Sequence, residues 1–188
     1  APDTLSVIGH GLVGERYTAE VAARGDWAYT STWGSRADVR GNAIKVWNVA
    51  GDQPVLVDSL IVENAVTIGD VQISDDGKLL VVATEFQSGS IVIYDLTNPA
   101  KPARVARHIS DQTGTAGVHT VKLGRVNGRL YAFLSVNAPP PRLVVVDITD
   151  PARPVEVLVK QMGTPVIHDT FVRDGLLFTA LWAEGLTI

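Results

Sequence analysis

A unit of about fifty residues recurs along the chain. A repeat of that length restricts the fold to copies of one small supersecondary unit packed side by side, because a single copy cannot bury its own apolar face. Three segments carry it: Ile44-Lys45-Val46-Trp47-Asn48-Val49, Ile91-Val92-Ile93-Tyr94-Asp95-Leu96 and Leu143-Val144-Val145-Val146-Asp147-Ile148. Each is an apolar run ending in Asn or Asp plus one more apolar residue. Each leads into a proline-bearing turn, and the final prolines of those turns, Pro54, Pro102 and Pro154, lie 48 and 52 residues apart.

The other half of the unit repeats as well. Gly69-Asp70-Val71-Gln72-Ile73, His119-Thr120-Val121-Lys122-Leu123 and His168-Asp169-Thr170-Phe171-Val172 begin at spacings of 50 and 49 residues. A short turn follows each: Ser74–Lys78, Val126–Arg129 and Arg173–Gly175. Asp-Gly and Asn-Gly between apolar runs signal tight hairpins, since these residues accept positive φ. Residues 18–33 fit the same scheme, with Arg24-Gly25-Asp26 as the turn. Residues 15–24 have some helical propensity, but the repeat alignment predicts a strand there. The runs are filled with Val, Ile, Leu, Tyr and Trp, which suit a pleated, buried surface. Four short strands per unit of this length is the pattern of a β-propeller blade. The sequence therefore predicts an all-β propeller with four-stranded antiparallel blades. Asp95 and Asp147 are expected to form turns and not to do chemistry, because each precedes a proline turn at the same repeat position.

The motif Leu143–Asp147 followed by Thr149-Asp150-Pro151-Ala152-Arg153-Pro154 resembles the LVIVD-repeat β-propellers of bacteria and archaea, and Ile91–Pro102 matches nearly as well. The resemblance extends over about residues 5–188. The first unit departs from it, with Asn48 in place of Asp and Gly51-Asp52-Gln53 in place of the Asn/Asp-Pro-Ala step. The resemblance implies a propeller, usually of an exported or surface-attached protein, and points to no particular activity.

Blades are expected at 14–64, 65–114 and 115–163, with an incomplete blade at 164–188 and an isolated outer strand at 4–9. Ending in the apolar run Gly185-Leu186-Thr187-Ile188, the chain reads as about half of a six- to eight-bladed ring. Self-association, or pairing with the remainder of the propeller, is then expected. The alternative is a closed four-bladed ring in which Leu5–Ile8 pairs with Leu186–Ile188.

Charge and composition exclude several partners. Sixteen Lys and Arg against twenty Asp and Glu leave a net charge of −4, so no basic excess exists to neutralise nucleic-acid phosphates. No apolar run approaches the ~18–20 residues that span a bilayer. Cysteine is absent, which removes disulfides, thiolate nucleophiles and zinc–sulfur sites together. The start at Ala1-Pro2-Asp3, without Met, reads as a mature end after signal-peptide cleavage, so an exported location (periplasmic, extracellular or cell-surface) is expected.

His119 and His168 occupy equivalent positions at the start of the inner strand, where Gly69 and Thr18 stand in other units. Asp70 and Asp169 fall one residue later. Inner-strand starts line the mouth of a propeller's channel, so side chains from different blades converge there. The four residues are candidate ligand-binding groups, and His119 and His168 are the candidate ligands of a divalent metal. The competing reading is a structural hydrogen bond between neighbouring blades. Glu85 and Glu184 are expected at equivalent ends of second strands, near Trp33, as solvated loop ends. Trp27, Trp47 and Trp182 are expected in the inter-blade core, and Ala138-Pro139-Pro140-Pro141 in a stiff exposed loop. Gly9–Gly14 lacks the spacing and following helix of a dinucleotide loop. No Gly-x-Ser-x-Gly elbow, His-Glu-x-x-His or Walker loop is present. The expected function is a non-catalytic binding or scaffold module; the alternative is a metal-dependent enzyme or metal-binding protein working at the channel mouth.

Overall fold

A computed structural model describes residues 5–34, 39–86, 89–114, 117–162 and 166–188. Residues 1–4 and the expected blade limits at 115, 163 and 164 lie outside these. The described residues form four antiparallel sheets. The first holds β1 (Tyr17–Arg24), β2 (Trp27–Trp33), β3 (Ala43–Asn48) and β4 (Val55–Ile61). The second holds β5 (Thr67–Ile73), β6 (Leu79–Glu85), β7 (Ser90–Asp95) and β8 (Ala103–His108). The third holds β9 (Thr120–Val126), β10 (Arg129–Val136), β11 (Arg142–Asp147) and β12 (Val155–Gln161). The fourth has three strands, β13 (Asp169–Arg173), β14 (Leu176–Ala180) and β15 (Leu186–Thr187). The only described helical element is a 3-10 turn at Trp182–Glu184. The chain is all-β, and each full sheet is a blade whose strands follow in sequence order.

Turn chemistry explains the hairpins. Asn127 and Gly128 have φ of 50° and 81°, and Asp174 and Gly175 have 53° and 77°. Two consecutive positive φ values match the right-handed twist of the flanking strands. The proline turns close on carboxylates: Asp95 Oδ1 accepts the Thr97 N–H at 2.6 Å and Asp147 Oδ1 the Thr149 N–H at 2.9 Å. A second such turn follows, with the Ala100 N–H on Asn98 and the Ala152 N–H on Asp150. In the first blade Asn48 accepts the Ala50 N–H at 3.0 Å, so the amide oxygen replaces the carboxylate.

Every third-to-fourth strand pair carries the same register shift, at Val46/Trp47, Ile93/Tyr94 and Val145/Val146. Val57, Val105 and Val157 are left as the extra residues. A bulge there bends and twists the outer strand, which blunts an otherwise open sheet edge.

The central strands are buried on both faces, because alternate side chains enter different cores. Leu80 and Val82 join Ile44, Val46 and Val71 between the first two blades. Val81 and Ala83 join Val121, Leu134 and Val144 between the second and third. Phe133 and Val145 join Ile167 and Leu181 between the third and fourth. The inner strands meet in sequence, β1 with β5, β5 with β9 and β9 with β13, and no comparable contact returns from β13 to β1.

Two expectations about elements need correction. Residues 5–13 form no strand, and β15 pairs with β14 alone, so Leu5–Ile8 does not pair with Leu186–Ile188. The segment instead crosses the outer face of the first blade. A Cβ on Gly11 would lie 2.5 Å from the Trp47 ring, and one on Gly9 2.0 Å from the Asp52 carbonyl oxygen. Trp182 is not core: the second strand of the fourth blade ends at Ala180, and Trp182 sits in the 3-10 turn with φ of 47°, largely exposed.

Candidate functional site

The four inner strands converge at one end on a cavity of about 300 Å³. Asp70 reaches it from β5, His119 and Thr120 from the start of β9, and His168 and Asp169 from the start of β13. The structure thus brings all four sequence-identified residues to one cavity. It adds others that the sequence reading missed in this role, among them Glu20 from β1, Trp33 from the end of β2 and Gln72 from β5.

Glu20 was missed by one residue. Taking Thr18 as the counterpart of Gly69 is a slip of one position, since Thr18 pairs with Thr32 as Ile68 pairs with Thr84, with the same one-residue bulge following in both blades. Ala19 and Glu20 are then the counterparts of Gly69 and Asp70. The spacing of 50 residues from Gly69 to His119, carried back from Gly69, reaches the same Ala19, and a slip of one residue exchanges the two faces of a strand. The same register argument corrects Glu184. Asp70 pairs with Ala83 and Asp169 with Ala180, so the counterpart of Glu85 is Trp182 and not Glu184.

Asp70 is nearly buried and fully engaged. Its Oδ1 accepts the Val71 N–H at 2.7 Å and the Gln72 amide at 3.1 Å, and its Oδ2 accepts the Val121 N–H at 3.0 Å. Val121 belongs to the next blade, so the carboxylate clamps two inner strands together. Burial raises its pKa above the usual carboxylate value, against the lowering effect of those hydrogen bonds. The inner strands run so close here that a Cβ on Gly69 would lie 2.3 Å from the His119 carbonyl oxygen. A side chain at that position is therefore excluded on steric grounds, which is why this blade has glycine where the next two have histidine.

His119 places Nδ1 2.8 Å from Glu85 Oε1. Glu85 is therefore not a solvated loop end; it is largely buried and bridges the second and third blades. This hydrogen bond raises the His119 pKa, with burial acting in the opposite sense. With Nδ1 donating to the carboxylate, Nε2 is the ring atom left for other partners. The His168 ring meets His119 edge-on, with centroids 5.5 Å apart at 75°, and meets Trp182 at 5.5 Å and 68°. The backbone does the same job at both histidines: the His119 N–H donates to Ser135 and the His168 N–H to Ala180.

Asp169 Oδ1 accepts the Thr170 N–H at 2.7 Å. Burial raises the Glu20 pKa, and the nearby Asp70 and Asp169 charges add to that. The cavity lining thus combines three carboxylates, Glu20, Asp70 and Asp169, with the His119–His168 imidazole pair. Among the described residues no group of three or more His, Cys, Asp or Glu is arranged to hold a metal ion.

The model of the LVIVD repeat matches residues 131–159, the second and third strands of the third blade and most of the fourth. No curated protein sequence matches the chain. Among solved structures it is similar to the periplasmic gluconolactonase PpgL of Pseudomonas aeruginosa, at 13% identity and a TM-score of 0.72, over 88% of this chain and 47% of that one. A candidate 6-phosphogluconolactonase of Bacteroides uniformis is similar at 13% identity and 0.73, over 88% and 48%. Sqt1 of Saccharomyces cerevisiae is similar at 10% identity and 0.61, over 88% and 43%. The chain spans about half the length of these structures, and at such identities the likeness is one of fold.

Proposed function

We propose that this chain, with an LVIVD repeat at residues 131–159 and a propeller's blades, is a non-catalytic binding module of an exported or cell-surface protein. Its ligand is a small polar molecule held at the channel mouth. The observation that carries this reading is the convergence of Glu20, Asp70, His119, His168 and Asp169, from four different blades, on one cavity of about 300 Å³. Cavities with a few convergent polar groups are where protein scaffolds recognise small ligands. The state of the polar groups supports recognition over chemistry. Asp70 spends its hydrogen-bonding capacity on Val71, Gln72 and Val121, and His119 has one nitrogen tied to Glu85. These bonds fix the cavity lining in place and leave His119 Nε2 facing other partners. Support for the exported location comes from the resemblance to LVIVD-repeat propellers.

A thermal-shift screen of polar metabolites tests the reading. A compound present at about 100 times its Kd stabilises the folded chain by about 2.7 kcal/mol. At least one compound is expected to raise the melting temperature of the wild type and to leave that of a Glu20→Gln, His168→Ala double variant unchanged. Elemental analysis gives the opposing result: one equivalent of a transition metal, lost on joint His119→Ala and His168→Ala substitution, would replace this reading with a metal-binding one.

A further inference from the structure

We propose that the cleft between the outer parts of the first and second blades is a second binding site, for a monocarboxylate with an apolar body, and that Arg104, Arg107 and the Tyr94 hydroxyl receive the carboxylate. The cleft has a volume of about 320 Å³. Leu60 and Val62 line it from the first blade, and Val92, Tyr94, Arg104 and Arg107 from the second. It shares no residue with the cavity at the channel mouth, so it does not depend on the ligand proposed there.

The repeat shows how this cleft differs from the next one. Tyr94 pairs with Arg104 as Val146 pairs with Glu156, and Ile44 pairs with Leu60 as Ile91 pairs with His108. Between the second and third blades the polar groups meet each other: Ser110 Oγ donates to Glu156 Oε2 at 2.8 Å, and His108 Nε2 lies 3.9 Å from the same oxygen. Between the first and second blades Leu60 and Val62 stand where His108 and Ser110 do, and Arg104 stands where Glu156 does. A cation takes the place of the acid, and aliphatic side chains take the place of both its partners. Among the described residues Arg104 makes no hydrogen bond or ion pair.

Tyr94 points to a ligand independently. It is 5% exposed, with its ring in the core between the two blades, and its hydroxyl has no hydrogen-bond partner among the described residues. Tyr29, in the same core, donates its hydroxyl to the Pro99 carbonyl at 2.9 Å, as a buried phenol ordinarily does. Tyr94 is the cross-strand neighbour of Arg104, so an unpaired phenol and an unpaired guanidinium line one cleft. Burial raises the Tyr94 pKa above its ordinary 10.0, against the effect of the Arg104 and Arg107 charges, so the phenol is a donor at neutral pH. Arg107 adds a fixed charge. Its Nε donates to Ser90 Oγ at 2.8 Å and its Nη1 to the Glu63 carbonyl at 2.7 Å.

Charge sets the class of ligand. Arg104 and Arg107 are countered in the cleft by Glu63 alone, whose exposed carboxylate forms no ion pair among the described residues. One positive charge is left over, and Glu63 repels a second negative charge on a ligand. A planar carboxylate with a single charge fits a guanidinium fork, and Leu60, Val62 and Val92 offer an apolar wall to the rest of the molecule.

Titration of the 188-residue chain with phenylacetate, followed by NMR of the ligand, tests the site. Phenylacetate is expected to bind, and phenylacetamide to bind at least about tenfold more weakly, since it lacks the charge. Arg104→Leu is expected to weaken phenylacetate by at least about tenfold. Leucine is what the first blade carries at that position, as Leu56, so the variant is expected to fold. Tyr94→Phe is expected to weaken binding about threefold and to leave the melting temperature unchanged, because the hydroxyl it removes has no partner in the protein. The Glu20→Gln, His168→Ala double variant is expected to bind phenylacetate as the wild type does, which separates this site from the channel mouth. The proposal is overturned by absence of phenylacetate binding, by equal binding of acid and amide, or by equal affinity in the wild type and Arg104→Leu. A lower melting temperature in Tyr94→Phe, loss of binding in the double variant, or displacement of phenylacetate by an equal concentration of inorganic phosphate would overturn it as well.

Discussion

The Glu85–His119 pair is where a single ionisation is tied most directly to the joining of blades. Glu85 ends β6 in the second blade and His119 precedes β9 in the third, so their hydrogen bond spans the interface. The folded-state pKa of His119 is raised above its ordinary value of 6.5, chiefly by that bond. A raised histidine pKa means that the folded state binds the proton more tightly than the unfolded chain does. The stabilisation is therefore complete below pH 6.5 and is lost as pH rises through the folded-state value. The urea midpoint of the wild type is expected to fall between pH 6 and pH 9 by more than that of Glu85→Gln, in which the histidine loses its anionic partner. Equal falls in the two proteins would show that the pair does not carry the effect. His119 and Asp70 could be found by counting along the repeat. Their partners could not, because Glu85 and Val121 lie 34 and 51 residues away in sequence.

The hairpins and proline turns were legible element by element, since their chemistry is local. Gly128 shows how sharply conformation and space separate. A Cβ there would meet nothing within 4 Å, yet its φ is +81°. Gly128→Ala is expected to destabilise the protein by about 1–2 kcal/mol through backbone strain alone. Gly51 also has open space around its Cβ position but has no positive φ, so Gly51→Ala is expected to be neutral or to stabilise by about 0.4–1 kcal/mol through a less flexible unfolded chain. Equilibrium urea unfolding of the two variants checks the contrast, and equal effects would contradict it. The elements misread from sequence fail for the complementary reason. Residues 5–9 have strand-like composition but form no strand, Ile8 and Gly9 lying against Asp52, Gln53 and Pro54 of the proline turn. Trp182 continues an apolar run but stands where the chain turns back at Gly185 to bring β15 against β14.

At the scale of the molecule, stability in an array of blades is approximately a sum of each blade's own stability and its contacts with its neighbours. The second blade has a core on both faces. The fourth has three strands, the last of two residues, and a core on one face only. Amide hydrogen exchange of β13–β15 is therefore expected to be faster than that of β5–β7, with the difference arising through local opening of the fourth blade. Uniform protection across all four blades would sink this. Period, strand content and turn type were determined by the sequence by itself, because each rests on interactions within a few residues: positive φ at Asn-Gly and Asp-Gly, carboxylates on nearby N–H groups, prolines that end a ladder. Which face each blade buries, the engagement of Asp70 by Val121 and the covering of Trp47 by residues 9–11 were decided only by the tertiary structure. These depend on register shifts and on contacts between segments tens of residues apart, and a one-residue bulge is enough to redirect a side chain from one surface to another.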